Sequence, residues 1–339
     1  MKARFVISKK KVLGQYQEIK KYADAVSYSY KTNVDVGKIL EENTDTMFSI
    51  HTLESLDDLK DMKRVWFFSQ AWNDKDLGML FKKGVNKFVV DNDTDLKILL
   101  DYAKEKKKKL SLLLRMRLKE HTVHTGKHFV YGFYSGRVNE LLPELRKNKN
   151  IDRLGIHFHR KTQNVSEWDL KEELEDTILH WDKIDIVNIG GGLPAEYKNY
   201  SQGVLKGIFE KIAELKKWLN KQGIKMVIEP GRFIAASPVR LETEILNVIE
   251  NNVIINCSVY NSAMDTFVAH IRLIVEGEKE NGRAYTIKGC TPDSMDIFRY
   301  KVFLEKPKKG GKIIFLNAGA YNYASDFCNL PKLETAVVD

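Results

Sequence analysis

The chain has 339 residues, enough for one large domain and a smaller one, and its 43% hydrophobic content argues against global disorder. No run approaches the roughly 18 unbroken apolar residues of a membrane helix, and the N-terminus lacks a signal-peptide pattern. We therefore expect a cytoplasmic protein without a membrane partner. The three cysteines are widely spaced and predict neither a disulfide framework nor a metal site.

The net charge is +9, from 55 basic and 46 acidic residues. The densest basic run, 106–109, ends the helical pattern TDLKILLDYAKE, and basic residues in the last turn of a helix are usually solvated. No DNA-binding motif accompanies the run. We expect no nucleic-acid partner, although a basic nucleic-acid-binding protein is the alternative that charge alone would favour.

Short β-rich segments alternate with helical patterns through the first two thirds of the chain. The strand candidates are 25–31, 46–50, 65–69, 87–91, 110–116, 154–159, 184–190 and 225–229, and the helical patterns include 54–62, 76–84, 169–181 and 204–223. Such alternation implies parallel pairing, because a parallel crossover needs a connecting element. Eight units predict an α/β fold with an eight-stranded parallel (β/α) barrel, and an open doubly wound sheet is the alternative.

After Arg232 the helical periodicity almost disappears. The segments 242–250, 253–260, 267–277, 284–289, 300–305 and 312–317 are strand-like, with turn signals between them. This pattern predicts a C-terminal antiparallel β domain. The expected division is a barrel domain over 10–235 and a β domain over 236–339 that also takes the N-terminal strand 1–9.

In a barrel of this kind, active-site residues lie at the C-terminal ends of the strands. Here five of the eight predicted strands deliver polar or glycine residues to that rim. These residues are Lys31 on the first strand, Arg115 and Arg117 on the fifth, His157 and His159 on the sixth, Gly190, Gly191 and Gly192 on the seventh, and Glu229, Gly231 and Arg232 on the eighth. Their convergence predicts a functional site.

Each residue also has an ordinary structural explanation. Partial burial of Lys31 in a barrel mouth favours the neutral amine that forms a Schiff base, whereas most lysines that end a strand are solvated. The three glycines expose backbone N–H groups to a phosphate or simply form a turn. A buried Glu229 needs a partner, either a protonated ring nitrogen or Arg115. His159 faces a ligand or belongs to the core, and Arg232 clamps a phosphate or caps the strand.

These segments resemble the pyridoxal-phosphate-dependent decarboxylases of the ornithine, diaminopimelate and arginine group. The motifs are YSYKTN at 28–33, GIHFHRKTQ at 155–163, NIGGGLP at 188–194, IEPGR at 228–232 and NAGAYNYASDF at 317–327. The resemblance covers nearly the whole chain. It implies the alanine-racemase-like fold, which is a barrel followed by a β domain.

The resemblance implies pyridoxal 5′-phosphate as cofactor, bound to Lys31 as an aldimine. It implies that His159 stacks on the pyridine ring and that Glu229 pairs with the pyridinium nitrogen. The remaining cofactor-binding residues that it implies are Arg115, Thr162, Gly190, Gly191, Gly192, Gly231, Arg232 and Tyr321. The segment 161–163 departs from the family's Gly-Ser-Gln, since it reads Lys-Thr-Gln.

The β domain departs further from the family's Gly-Pro-x-Cys-Asp/Glu-x-x-Asp pattern, since 288–296 reads KGCTPDSMD. Aligning Asp296 with the final acid puts Pro292 at the cysteine position, and aligning Cys290 puts the acid two residues late. We favour Cys290 as proton donor and Asp293 as the acid that binds the substrate's distal ammonium, with Asp296 as the second candidate. The resemblance also implies a homodimer with shared active sites.

The implied activity is decarboxylation of a small basic amino acid, with Lys31, His159 and Cys290 as the catalytic residues. Ornithine, lysine, arginine, diaminopimelate and carboxynorspermidine are all substrates within the family, and the motifs do not rank them. Two alternatives stay open. An amino-acid racemase on the same fold would pair the ring nitrogen with an arginine, against which Glu229 argues. A non-catalytic regulatory binding protein is suggested by the altered cysteine motif.

Overall fold

The computed structural model describes residues 1–68, 70–118, 131–200, 203–322 and 325–339. The chain forms two compact units, which we call the barrel unit (Gln17–Leu193 and Val204–Gly231) and the sheet unit (Met1–Tyr16, Pro194–Gly203 and Arg232–Asp339). Residues 10–16, 194–203 and 232–235 thus belong to the sheet unit, although the sequence assigned them to the barrel. Within these ranges no helix is both long and apolar enough to cross a membrane.

The strands and helices follow in chain order. The strands are β1 (Arg4–Ser8), β2 (Ala25–Ser29), β3 (Met47–Ile50), β4 (Val65–Phe68), β5 (Lys87–Val90), β6 (Leu110–Arg115), β7 (Ile151–His157), β8 (Ile186–Asn188), β9 (Lys225–Ile228), β10 (Val239–Ile249), β11 (Asn252–Ile255), β12 (Ile274–Val275), β13 (Lys279–Lys288), β14 (Ile297–Phe303), β15 (Lys312–Leu316) and β16 (Glu334–Val338). The helices are α1 (Lys9–Lys20), α2 (Val34–Asn43), α3 (Asp74–Lys83), α4 (Asp93–Glu105), α5 (Ser135–Leu145), α6 (Leu170–Thr177), α7 (Leu205–Lys221), α8 (Arg232–Ala235), α9 (Val259–Ser262) and α10 (Asp265–Val268).

Strands β2 to β9 form a closed barrel in which each strand pairs in parallel with the next and β9 returns to pair with β2. The predicted closed barrel is therefore confirmed, and the alternative prediction of an open doubly wound sheet is wrong. Helices connect most successive strands, as parallel pairing requires. The segment 54–62 is an exception, because it forms short 3₁₀ turns (Glu54–Asp58 and Met62–Arg64) instead of the predicted helix.

The barrel interior changes from apolar to polar along the strands. Trp66, Phe68, Val89 and Leu113 form a buried cluster with Met47 and Ile186 against it. Because side chains alternate between the two faces of a strand, the residues two positions further along the chain face the same interior. Those positions are polar at the C-terminal ends of the strands, and they are Ser49, Gln70, Asp91, Arg115 and Asn188.

Strand β2 ends earlier than predicted. It stops at Ser29, and Lys31 lies in a 3₁₀ turn, Tyr30–Thr32, before α2 begins. The Tyr28 hydroxyl donates to the Asn33 carbonyl (3.0 Å), and the Asn33 side chain caps α2 by accepting from the Val36 N–H (3.0 Å). Lys31 therefore sits on a short turn whose two ends are fixed by hydrogen bonds.

The sheet unit contains an eight-stranded sheet in the order β12-β15-β10-β11-β13-β14, with β1 paired to both β10 and β16. The predicted β domain is confirmed as a mixed sheet, because β1–β16 and β11–β13 pair in parallel and the other pairs are antiparallel. The predicted strand 253–260 ends at Ile255. Ser258 forms a capping box with Asn261 and starts helix α9 instead.

Candidate active site

Glu229 follows β9 and has a buried carboxylate with three side-chain donors. The Ser49 hydroxyl donates to Oε1 (2.7 Å), the Asn188 amide donates to the same oxygen (2.9 Å), and His157 Nε2 lies 3.1 Å from Oε2. The donors come from β3, β8 and β7. Four strands of the barrel thus meet at one carboxylate, which we call the Glu229 cluster, consisting of Ser49, His157, Asn188 and Glu229.

The charges in the Glu229 cluster follow from burial and hydrogen bonding. Burial alone would raise the pKa of Glu229, but the interaction with His157 and the hydrogen bonds from His157, Ser49 and Asn188 hold the pKa below its usual range. Burial lowers the pKa of His157, although Glu229 opposes the shift. His157 Nδ1 is buried and has no partner among the described residues, so an added proton there would be unpaired. We assign an ionised Glu229 and a neutral His157 that donates through Nε2.

Lys31 and Glu229 lie at the ends of adjacent strands. β2 pairs with β9 (Ala25 with Val227), and the Ser29 N–H donates to the Pro230 carbonyl (3.2 Å). The turn packs closely on the segment after Glu229, since a Cβ on Gly231 would lie 2.4 Å from Thr32 Oγ1. Lys31 itself is exposed, so its expected partial burial is wrong for the single chain, because the turn carries the side chain beyond the strand end.

The three glycines after β8 pack against backbone rather than forming an open cradle. A Cβ would lie 2.2 Å from the Phe158 carbonyl oxygen at Gly190 and 2.5 Å from the Glu229 carbonyl oxygen at Gly191. At Gly192 the same 2.5 Å distance is to the Lys161 carbonyl oxygen. The Gly190 N–H donates to Asn188 Oδ1 (2.9 Å) and the Gly191 N–H to His159 Nδ1 (3.3 Å). Of the three expected exposed N–H groups, only that of Gly192 has no hydrogen bond within the described chain.

His159 lies at the open end of the barrel, where solvent reaches its ring. The surrounding protein atoms and then the positive charge of Arg115 lower the pKa of His159 to about 4. Because the Gly191 N–H donates to Nδ1, the neutral ring carries its proton on Nε2. His159 is therefore an oriented, neutral ring. Thr162, three residues later, is exposed.

Arg115 borders a cavity of about 280 Å³ together with His51, Phe68, Gln70, Val89, Asp91 and Tyr131. Its guanidinium lies over the Tyr131 ring at 5.7 Å, and burial lowers its pKa although Asp91 and Glu229 oppose the shift. No ion pair or side-chain hydrogen bond of Arg115 exists within the described ranges. A partly buried cation in this position suits an anionic ligand.

Sequence reasoning missed several residues of this site, namely Ser49, His51, Gln70, Asp91 and Asn188, and gave His157 no role. The available signal was strand periodicity, since each lies an even number of residues from an apolar interior position. His51 stacks on Phe68 (5.2 Å), and burial and then the charge of Lys31 lower the pKa of His51 to about 4. Lys31 is therefore close enough to affect the charge of His51, which lines the cavity.

In the sheet unit, Arg232 and Tyr321, which the resemblance assigns to cofactor binding, lie near each other. The Arg232 guanidinium lies over the Tyr321 ring at 4.7 Å. Arg232 also forms a two-contact ion pair with Asp265, of which the Nη2–Oδ1 distance is 3.0 Å, and both side chains are buried. Asp265 was not predicted. Its carboxylate neutralises the positive charge of Arg232, which is the charge that would attract a phosphate.

The two candidate substrate acids both lie in the loop 289–296, but they differ in exposure. Asp293 is exposed and accepts a hydrogen bond from the Tyr260 hydroxyl (2.6 Å). Asp296 is fully buried and accepts from the Val259 N–H (2.8 Å), the Thr291 N–H (3.1 Å) and the Thr291 hydroxyl (2.7 Å). Asp293 is therefore the acid whose carboxylate a ligand can reach.

Cys290 lies in the same loop and is an exposed residue with a free thiol. Partial burial and then the negative charge of Asp296 raise the pKa of Cys290. The thiol therefore stays protonated at neutral pH. Among the described residues, no three His, Cys, Asp or Glu side chains form a group that could hold a metal ion.

The fold and the barrel site define a pyridoxal-binding barrel, and comparison with known proteins agrees. The family model "Pyridoxal-dependent decarboxylase, pyridoxal binding domain" matches residues 59–236. A probable chloroplastic diaminopimelate decarboxylase of Oryza sativa subsp. japonica is 23% identical over 73% of this chain and 54% of its own length. The carboxynorspermidine/carboxyspermidine decarboxylase of Campylobacter jejuni is 27% identical over 54% of this chain and 52% of its own length.

Among solved structures, diaminopimelate decarboxylase from Helicobacter pylori complexed with L-lysine has a TM-score of 0.84 at 17% identity, covering 100% of this chain and 92% of the other. At that identity the likeness shows the fold. The family model covers more than half of the chain, so this protein belongs to the pyridoxal-dependent decarboxylase family. The chain spans about half the length of the curated relatives described above.

Proposed function

We propose that this protein is a pyridoxal-phosphate-dependent decarboxylase of a basic amino acid. One observation carries the proposal, which is that Lys31 and Glu229 follow adjacent strands at the same end of one barrel. The guanidinium of Arg115, which pairs with no carboxylate among the described residues, and the oriented ring of His159 support it. Both offer contacts to an anionic aromatic ligand.

The residues present fit pyridoxal phosphate. Lys31 Nζ would be the covalent attachment point, Glu229 would keep a proton on the ring nitrogen, and His159 would hold the face of the ring. The other residues we assign to cofactor binding are Arg115, Thr162, Gly190, Gly191, Gly192, Gly231, Arg232 and Tyr321. When bound, the cofactor supplies the sink for the electron pair released as CO₂ leaves. For Arg232 the contact with phosphate has to compete with Asp265.

For the substrate we propose that Asp293 pairs with the distal ammonium and that Cys290 returns a proton to the α-carbon. The Tyr260 hydrogen bond lowers the pKa of Asp293, so its carboxylate is ionised and suits a cation. Ornithine, lysine, arginine, diaminopimelate and carboxynorspermidine are the substrates to compare. A panel of these amino acids with CO₂ detection identifies the preferred one.

We further propose a homodimer in which Cys290 and Asp293 serve the partner's active site. Exposed Met295 and Phe327, near Asp293 and Tyr260, are apolar surface that a second copy could cover. Light scattering under assay conditions tests this, and a monomer with full activity contradicts it. We also propose a cytoplasmic location, which the free thiols of Cys257, Cys290 and Cys328 suit.

Substitution of the attachment lysine tests the proposed function. Wild type should bind pyridoxal phosphate, and borohydride reduction should fix the cofactor on the peptide that contains Lys31, as mass spectrometry would detect. Lys31→Ala should lose the label and at least about a thousandfold in CO₂ release. Lys38→Ala, which removes an exposed lysine paired with Asp58, is the matched control and should keep both.

The outcomes separate the alternatives. Labelling of another lysine rejects Lys31 as the attachment point. Cofactor binding with racemisation but no CO₂ release would favour a racemase. A wild-type protein that binds no cofactor and releases no CO₂ would favour a regulatory binding protein, and the decarboxylase proposal would be abandoned.

A further inference from the structure

The two carboxylate oxygens of Glu229 accept different numbers of hydrogen bonds. Oε1 accepts from the Ser49 hydroxyl (2.7 Å) and the Asn188 amide (2.9 Å), whereas Oε2 has only His157 Nε2 (3.1 Å). An ionised carboxylate oxygen has about two lone-pair positions for hydrogen bonds. Within the described residues, Oε1 is therefore full and Oε2 retains one acceptor position.

The ionised Glu229 fixes the direction of the hydrogen bonds made by Ser49, including the one to a second buried hydroxyl, Ser27. Ser27 Oγ lies 2.8 Å from Ser49 Oγ, and both side chains are almost completely buried. A serine has one hydroxyl hydrogen, and the ionised Glu229 can only accept. Ser49 therefore donates to Glu229 and accepts from Ser27, so the two hydroxyl groups point in sequence towards the carboxylate.

The orientations of the other two donors are fixed as well. Asn188 Oδ1 accepts from the Gly190 N–H (2.9 Å), which leaves its amide group facing Glu229. The His157 ring meets the edge of Phe68, with centroids 5.0 Å apart and planes at 76°. Neither side chain can rotate without losing a buried contact. The three donors are thus set before any ligand arrives, so they need no reorganisation to hold a charge.

We propose that Ser49, Asn188 and His157 are positioning residues that direct Glu229 so that Oε2 is the oxygen offered to the ring nitrogen of the cofactor. This inference rests on the proposed function, since it assumes that Glu229 meets that nitrogen. A purely structural role would also explain three hydrogen bonds to a buried carboxylate. The two roles differ in whether the donors affect recognition of the nitrogen itself.

Binding of two ligands distinguishes these roles without an activity measurement. The dissociation constants of pyridoxal phosphate and of its deaza analogue, in which a CH group replaces the ring nitrogen, are measured on the apoprotein. Wild type should prefer pyridoxal phosphate. Ser49→Ala should reduce that preference about tenfold, the size expected for a hydrogen bond to a charged group. Asn188→Asp, which keeps the shape but replaces a donor with an acceptor, should reduce it at least as much.

Thr46→Val is the matched control, because it removes a buried hydroxyl of the barrel unit that donates to the Val26 carbonyl (3.0 Å) rather than to a residue of the Glu229 cluster. It should keep the wild-type preference. All five tryptophans lie in the barrel unit, so their fluorescence during urea unfolding checks that each variant barrel is folded. Asn188→Asp serves if Ser49→Ala does not fold.

If Ser49→Ala and Asn188→Asp weaken binding of both ligands equally, the preference is unchanged and the residues have only a structural role, which overturns this inference and leaves the proposed function standing. If wild type binds both ligands equally well, Glu229 does not meet the ring nitrogen, and the inference fails together with the assignment of Glu229. If wild type binds neither, the proposed function itself fails.

Discussion

Glu229 in the barrel unit and Asp296 in the sheet unit are both buried carboxylates with three hydrogen bonds, but their donors differ. The donors of Glu229 are side chains 41, 72 and 180 residues away in the sequence. Two donors of Asp296 belong to Thr291, five residues away, and the third is the Val259 N–H. The first set is assembled by closure of the barrel, and the second mainly by the loop that contains Asp296, with one donor from the start of α9.

The difference indicates what each carboxylate can do. Oε2 of Glu229 keeps an acceptor position within the described residues, and the cluster lies where the strands end. Asp296 instead satisfies backbone N–H groups that would otherwise be unpaired, and Gly289 packs so closely that a Cβ there would lie 2.1 Å from Oδ1. A carboxylate held by distant side chains suits a ligand site, whereas one held mainly by backbone N–H groups stabilises the segments that carry those groups.

The largest expected effect tests a third buried carboxylate, Asp265, which pairs with Arg232. Arg232→Met leaves Asp265 as an unpaired buried charge, so we expect the apoprotein's sheet unit to lose about 3–5 kcal/mol of stability. Hydrogen exchange measured on peptides of β10 and α10 reports the loss. The double variant Arg232→Met/Asp265→Asn should recover much of it, because no charge is then left unpaired.

This result sharpens the comparison, since a phosphate clamp was one of two interpretations of Arg232 and the resemblance assigned the residue to cofactor binding. If Arg232→Met leaves exchange in the apoprotein unchanged and only weakens cofactor binding, Arg232 acts as a phosphate clamp. In that case the Asp265 carboxylate, unlike that of Asp296, does not contribute to the stability of the sheet unit. A loss in the apoprotein together with weaker binding assigns both functions to Arg232.

A smaller effect separates Asp293 from Asp296. Asp296→Ala leaves the buried Val259 N–H and the Thr291 donors without their acceptor, and we expect a loss of about 3 kcal/mol in the stability of the sheet unit. Asp293→Ala, at an exposed position, should change stability by no more than about 0.5 kcal/mol. It should instead raise KM for the basic substrate. Hydrogen exchange of β13 and steady-state kinetics measure the two effects, and a destabilised Asp293→Ala with unchanged KM would contradict the assignment.

Most of the barrel could be predicted from the sequence, because alternation of strands and helices leaves few topologies for a parallel sheet. The positions of Lys31 and Glu229 at one rim followed from the same alternation. Ser49 and Asn188 were missed since a single serine or asparagine in an apolar strand has no motif. Strand periodicity alone would have put both side chains in the interior, two positions after Met47 and Ile186.

The sheet unit was harder to predict for a physical reason. Asp265 finds its partner Arg232 only through the tertiary fold, and Asp296 binds backbone N–H groups, which every residue except proline carries. Neither contact leaves a pattern in the sequence. The segment around Ser258 has strand-like composition, but a local capping box turns it into helix α9. Local hydrogen bonds overrode the pattern there.

The smallest predicted effect is a pH dependence that the Glu229 cluster should confer on the barrel unit. Burial holds the pKa of His157 in the folded chain below its ordinary value of 6.5. At a pH between the folded pKa and 6.5, the unfolded chain therefore binds a proton that the folded chain does not. Stability therefore falls as the pH drops below about 6.5. His157→Gln retains a donor for Glu229 but cannot titrate, so its unfolding free energy should depend less on pH, by at most about 1.4 kcal/mol per pH unit.

Urea unfolding of the apoprotein between pH 7 and pH 5, followed by tryptophan fluorescence, measures this slope for the barrel unit. His180→Gln, just before the short 3₁₀ turn at 181–183 and outside the Glu229 cluster, is the matched control and should keep the wild-type slope. An equal slope in His157→Gln and wild type would mean that folding leaves the pKa of His157 unchanged. A steeper loss of stability in His157→Gln than in wild type would mean that His157 is charged in the folded barrel. Glu229 would then be half of a buried ion pair, and its resemblance to the paired Asp265 would be closer than its contrast with Asp296.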